Sequence, residues 1–235
     1  MNGLIILIGE SFRLGKQGTR NKGSKESYNE QIKACNSHIY FIEHIIKKFN
    51  MNSISLYISS YHTQFDNNLL SVYEKYLIGH NLYGNLIGLN NLFHNSINKI
   101  ENIEKYDFIL YIRIDLFLKQ PFVDIFNPLI DKILFPTICF IPHHKCGNDP
   151  RVNDMLLFIP KKYYKYIRNT VINHETWHNL IKNTDLTYED IDTMINTYHD
   201  SDSCKDFNPL YYIVNRSKCS VFHSEGHIFD KYNFN

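Results

Sequence analysis

Arg113 and Asp115 stand inside an otherwise apolar segment, YDFILYIRIDLFLKQPF, residues 106–122. A buried charge without a partner is costly, so a strand does not carry two without a reason. Their i, i+2 spacing puts both side chains on one face of a strand. Two explanations are open. One is a structural Arg–Asp arrangement. In the other, the strand reaches a ligand rim, where Asp115 holds a divalent metal or a sugar hydroxyl and Arg113 contacts phosphate or orients Asp115.

A second stretch, GESFRLGKQGTRNKGSKES, follows the first apolar run and is rich in glycine and cations. Glycines permit close backbone approach, and arginines bind phosphate oxygens through paired N–H groups. Gly9, Ser11, Arg13, Gln17 and Arg20 are its candidate contacts for a phosphorylated ligand such as a nucleotide sugar. The stretch fits neither GxGxxG nor GxxxxGK[ST], which weakens dinucleotide and P-loop readings. A solvated loop is the alternative. In SSYHTQFD, Tyr61 is placed to stack on a base, with Thr63 and its serine neighbours bonding a base edge or ribose; an ordinary hydroxyl-rich turn is the alternative.

Asp154, in GNDPRVNDMLLFIP, is a candidate general base over a substrate hydroxyl, or a cap on a following element; Asp149 is a weaker competitor. VFHSEGHIFD brings His223, Glu225, His227 and Asp230 close in sequence, and imidazole suits Mn²⁺ or Zn²⁺. His143, His144 and Cys146 have similar chemistry but lack a second half at zinc spacing. With 12 histidines in the chain, chance proximity is the alternative for both.

These residues need a scaffold. Strand-like and helix-like patterns alternate along the chain, which predicts an α/β fold: one α/β/α sandwich around a mainly parallel, mixed sheet. GLIILIG and SISLYISSY read as strands, with a long helix over SYNEQIKACNSHIYFIEHIIKKFN between them. In that helix Ile32, Cys35, Ile39, Ile42, Ile45, Ile46 and Phe49 recur at helical spacing. NNLLSVYEKYLIG and NNLFHNSINKIENIEKY read as helices, DFILYIRIDLFL, KILFPTICF and DMLLFIP as strands. PKKYYKYIRNTVINHETWHNLI and LTYEDIDTMINTYHDS read as helices, and CSVFH as a late strand.

No repeat or long linker divides the 235 residues, so the expectation is one domain over 1–235, its ligand-binding half 1–120 and its second half 121–235. A formal net charge of +1 argues against an electrostatic nucleic-acid binder. Five cysteines without a CxxC pair suggest reduced thiols and a cytoplasmic protein. The apolar run near residue 3 is too short for a membrane span and lacks the basic flank of a signal peptide.

Taken in order, YDFILYIRIDLFLK, ILFP and RVNDMLLFIPKKYY resemble a loosely defined group of nucleotide-sugar glycosyltransferases. The N-terminal GESFRLGKQGTRNKGSKESYNEQIKACNSHIYFIE is similar to segments of such enzymes from large DNA viruses and algae. The resemblance covers most of the chain and is specific as an ordered set. It implies a GT-A-like fold that moves a sugar from a UDP- or GDP-sugar to a hydroxyl of a glycan or glycoprotein, in the host cytoplasm if the source is viral. It implies a divalent metal, Mn²⁺ or Mg²⁺, on Asp115 and His227, and Asp154 as the base of an inverting enzyme. Arg113 stands where the family's Asp-x-Asp motif has its first acid. That departure favours a rival, a non-catalytic module of the same fold that binds nucleotide or glycan.

Overall fold

The computed structural model describes residues 1–14, 21–135, 138–139, 151–152, 156–164 and 188–190. In chain order, β1 is Asn2–Ile8, β2 Arg13–Leu14, β3 Asn21–Lys22, α1 Lys25–Phe49 and β4 Ser53–Tyr61. Then come α2 (Asp66–Tyr73), β5 (Leu77–Tyr83), α3 (Leu89–Lys99), a 3₁₀ turn (Ile103–Lys105) and β6 (Phe108–Arg113). α4 (Gln120–Ile125), β7 (Ile133–Phe135), β8 (Ile138–Cys139), β9 (Arg151–Val152), β10 (Leu156–Pro160), a 3₁₀ turn (Lys161–Tyr163) and β11 (Tyr188–Asp190) complete the described elements.

One seven-stranded sheet runs β11-β7-β10-β6-β1-β4-β5. β4 and β6 pair parallel with β1, β5 with β4, and β11 with β7, while β10 runs antiparallel to β6 and β7. The sheet is therefore mixed and mostly parallel, as the alternating pattern predicts. It crosses residue 120 without a break: β7, β10 and β11 continue the sheet that β1, β4, β5 and β6 begin.

β1 shows why the sheet lies in the middle. Ile5 and Leu7 face a core shared with Phe41, Ile42 and Ile45 of α1, Leu69 of α2 and Phe122 of α4. Leu4, Ile6 and Ile8 face a second core with Leu92, Phe93 and Ile97 of α3. A strand covered on both faces has no need of polar alternation, hence the continuous apolar run.

α1 is fixed at both ends. The Ser24 hydroxyl accepts the Ser27 N–H, and Asn50, in left-handed backbone, donates its N–H to the Ile46 carbonyl. Lys47 and Lys48 lie in its last turn, where their charge suits the carbonyl end of the helix.

Several expectations about elements change. Of the segment expected as one helix around 67–79, only its first part is helical; from Leu77 the chain is the edge strand β5. A backbone bond from Leu56 N–H to the Tyr76 carbonyl starts the pairing that continues as β4 against β5. The helix expected over 90–106 stops at Lys99, and Asn102 in left-handed backbone opens the separate 3₁₀ turn. Residues 188–190 form a strand beside β7 rather than part of a helix. The expected late strand at 219–223 lies outside the described residues.

Candidate functional site

The chain passes from β1 to β4 through α1 on one face of the sheet, and from β5 to β6 through α3 on the other. β4 and β6 are the two neighbours of β1. The direction of winding thus reverses between β1 and β6, and their carboxyl ends open a crevice there. Open α/β sheets bind ligands at such a switch point.

Arg13, Arg113 and Asp115 meet at this place. Asp115 does not continue β6: the strand ends at Arg113, and a bond from Leu116 N–H to the Arg113 carbonyl turns the chain. Within that turn Arg113 Nε donates to Asp115 Oδ1 at 3.0 Å and its Nη2 to Oδ2 at 2.5 Å. Arg13 Nη2, from the short strand β2, donates to the same Oδ2 at 2.9 Å. Arg13 Nη1 also lies 3.6 Å from the Glu10 carboxylate. The Asp115 side chain is 1% exposed and each arginine side chain 15%, so the carboxylate is sealed beneath two largely buried arginines. Burial alone would raise the Asp115 carboxyl; the charges and hydrogen bonds of Arg113 and Arg13 outweigh it and hold it well below the usual carboxylate range.

Of the two explanations for Arg113 and Asp115, the structural pairing is present. They are a charge pair, but Arg13 makes it a trio, and the trio sits at the switch point. The structure moves Asp115 from an open rim to the floor beneath the guanidiniums.

The other expected residues divide. Gly9 turns the chain out of the sheet with φ +120°, and its N–H donates to the Ser59 carbonyl. Ser11 is buried, its hydroxyl 3.1 Å from that of Ser60, which in turn donates to the Gly9 carbonyl. These two tie the ends of β1 and β4 together. Tyr61 does not stand at the rim for stacking: its ring is buried in the α3-side core, and its hydroxyl accepts the N–H of Gly88, the residue before α3. Thr63 lies in the turn just before α2, its N–H and hydroxyl both donating to Asp66 Oδ1 at 2.9 and 3.0 Å. Gln17, Arg20, Asp154 and His227 lie outside the described residues, as do His143, His144, Cys146, Asp149, His223, Glu225 and Asp230.

Glu10, Gln31 and His38 were not singled out from the sequence, although they surround the trio. Gln31 and His38 occupy the buried stripe of α1 beside Cys35, Phe41, Ile42 and Ile45. Two polar residues seven apart on a helix's apolar stripe are a readable signal that something polar lies opposite. His38 Nε2 is 2.8 Å from the Leu116 carbonyl and its Nδ1 2.7 Å from the Tyr73 hydroxyl. Burial lowers His38 to about 4, against the opposing pull of the Leu116 bond and the Asp115 charge. It is therefore neutral at pH 7.

A divalent cation does not fit Asp115 as placed. Both its oxygens accept guanidinium N–H groups, and two positive side chains crowd any ion approaching them. Among the described residues no group of three or more His, Cys, Asp or Glu side chains forms a metal cage. A cavity of about 510 Å³ lined by Met1, Asp107, Leu129, Asp131 and Lys162 lies at the other end of the sheet, against the amino ends of β1 and β6. No described helix is long and apolar enough to cross a membrane.

No family model and no curated protein matches the chain. Among solved structures, the chain is similar to a Drosophila β1,4-galactosyltransferase 7 mutant in complex with manganese, UDP-Gal and xylobiose: TM-score 0.42, 10% identity, over 80% of this chain and 63% of that one. This chain therefore spans just under two thirds of that enzyme's structure. It is also similar to an active-site mutant of LgtC, with TM-score 0.43 and 11% identity over 95% of this chain and 85% of that one. A third is 4-diphosphocytidyl-2C-methyl-D-erythritol synthase from Anaerococcus prevotii, with TM-score 0.48 and 8% identity over 80% and 86%. All three TM-scores are below 0.5, so any reading of function rests on the residues of the site itself.

Proposed function

We propose that the chain is a glycosyltransferase that moves a hexosyl or pentosyl group from a UDP- or GDP-sugar to a hydroxyl of a glycan or glycoprotein. The observation that carries this reading is the pair of guanidiniums held on one buried carboxylate at the switch point between β1 and β6. That arrangement suits a diphosphate, which needs cations fixed in advance where its charge increases on leaving. The step from a diphosphate to a nucleotide sugar rests on the ordered motifs of the sequence.

In the reaction, the bond from the anomeric carbon to the β-phosphate oxygen breaks, and the acceptor oxygen bonds to that carbon. Arg13 and Arg113 stabilise the departing diphosphate. Asp115 keeps them aimed, acting through them rather than on the sugar. Gly9 and Ser11 hold the mouth of the loop after β1. Gln17 and Arg20 supply further phosphate contacts, and Asp154 takes the acceptor proton if the transfer inverts. The metal that the family resemblance implies has no step here, because Asp115 is taken up by the arginines.

That same occupation of Asp115 favours a second reading, a module that binds nucleotide without turnover. One experiment separates the two. Release of UDP or GDP is measured over a panel of nucleotide sugars and glycan acceptors, with Mn²⁺ and with EDTA, beside calorimetric binding of each nucleotide. Transfer supports the enzyme, binding without transfer supports the module, and no binding of any nucleoside diphosphate refutes both. Arg13→Gln removes a charge-assisted contact of about 1.5–3 kcal/mol, so nucleotide affinity should fall about tenfold or more.

A further inference from the structure

We infer that Gln31 is a positioning residue for the diphosphate site, a side chain that helps set Arg13 against Asp115. The inference rests on the proposed reading of that site. Gln31 is 0% exposed and lies on α1, remote in sequence from the β6 loop it touches. Its Oε1 accepts the Phe12 N–H at 3.1 Å, and its Nε2 donates to the Ile114 carbonyl at 2.7 Å. Phe12 immediately precedes Arg13, and Ile114 immediately precedes Asp115. One planar amide thus spans the two backbones from which the ion pair springs.

The orientation of that amide is fixed by its partners. A backbone N–H needs the oxygen and a carbonyl needs the nitrogen, so the reverse placement would lose both bonds. The remaining contact of Nε2 is Cys35 Sγ at 3.7 Å, on the same helix.

Phe12 shows that the placement is held against a local preference. Its φ is +50°, a conformation that bulky residues rarely adopt. The ring is fully buried and packs on Tyr28 and Phe65, with centroids 5.8 and 5.1 Å away. The bond to Gln31 secures the N–H of this strained residue, and the next residue, Arg13, is thereby aimed back at Asp115. His38 and Ser37 hold only the far side of the crevice, through the Leu116 carbonyl and the Leu118 N–H. Gln31 alone among these three α1 side chains also grips the loop after β1.

A buried glutamine that merely satisfied two backbone groups would cost stability when changed, without singling out Arg13. The test is a double-mutant cycle on UDP and GDP affinity with Gln31→Met and Arg13→Gln. Positioning predicts about a tenfold loss from Gln31→Met alone and no further loss once Arg13 is gone. An equal loss in both backgrounds, or none in either, overturns the inference. Gln31→Glu replaces Gln31→Met if the latter does not fold, because it keeps an acceptor for Phe12 while its ionised form cannot donate to Ile114. A ligand-free measurement separates this inference from the functional proposal: ¹⁵N NMR of guanidinium rotation, with Arg113 as internal control. Gln31→Met should free Arg13 and leave Arg113 hindered, because Arg113 and Asp115 belong to the same turn. If neither nucleotide binds the unmodified protein, the functional proposal fails and this measurement decides. Selective loosening of Arg13 then sustains the positioning role, and unchanged or equally loosened arginines overturn it.

Discussion

Asp115→Asn is the most informative single perturbation, because the structure assigns that carboxylate a definite debt to its neighbours. It accepts three guanidinium N–H bonds and is 1% exposed. An amide of the same size keeps one acceptor oxygen but turns an NH₂ group toward guanidinium donors. Two positive side chains then face each other without the carboxylate charge that held them, Glu10 remaining beside Arg13. Removing one partner of a fully buried ion pair costs about 3–5 kcal/mol. Arg13 and Arg113 are each 15% exposed and recover some hydration, so the lower end applies, about 3 kcal/mol. For a chain of 235 residues, each kcal/mol moves the melting temperature by about 2–4 °C, giving a drop of about 6–12 °C.

The pH dependence checks the cause. A carboxylate whose folded pKa is depressed stabilises the fold above its unfolded value, and that contribution is lost as pH falls through the folded value. The gap between the parent protein and Asp115→Asn should therefore stay constant from pH 8 to about 5 and narrow only below about 4. Urea unfolding at several pH values measures it. A change in melting temperature below about 2 °C at pH 7 would refute the buried-trio geometry and return Asp115 to an open rim.

Two further outcomes follow from neighbouring residues. His38, lowered to about 4 from 6.5, leaves the unfolded chain binding more protons between those values, so its contribution falls as pH drops across that window. About 2.5 pKa units correspond to about 3 kcal/mol; urea titrations of the parent protein and His38→Gln should diverge by that amount between pH 6.5 and 4, and parallel curves would disprove it. Gly9→Ala should destabilise by about 1–3 kcal/mol from backbone strain alone, since an added Cβ would meet nothing nearer than Ile114 Cγ2 at 3.8 Å while φ is +120°; unchanged stability in the same assay would refute a backbone origin.

What was legible in the sequence follows from how far each feature depends on distant chain. β1, α1 and β4 were readable almost to the residue, because each carries its own pattern: an unbroken apolar run, a helical apolar stripe, and a short run of serines interleaved with Ile54, Leu56, Tyr57 and Ile58. β5 was not, because the helix-like spacing of Leu69, Leu70 and Tyr73 continues into Tyr76 and Leu77, and only the open edge of β4 turns the latter part into strand. Residues 188–190 likewise become strand by pairing with β7.

The site divides in the same way. That Arg113 and Asp115 needed a reason was visible from burial cost, and Arg13 stood out only as a candidate phosphate contact. That Arg13 belongs to Asp115 was not, because the two are 102 residues apart and meet only where the winding reverses. Tyr61 was misleading for a physical reason. At a strand's end a tyrosine looks available, but alternation sends its ring into the α3-side core, and its hydroxyl secures the start of that helix. Gln31 and His38 show the complementary case. Read as helix surface, they carry no message. Read as polar residues on an apolar stripe, they say that unpaired backbone lies across from α1 and must be satisfied. The backbone in question is Phe12, Ile114 and Leu116, the frame of the charged trio. A search for function in such a sequence gains as much from polar interruptions of the core pattern as from the charged loops themselves, since the interruptions mark what holds the loops in place.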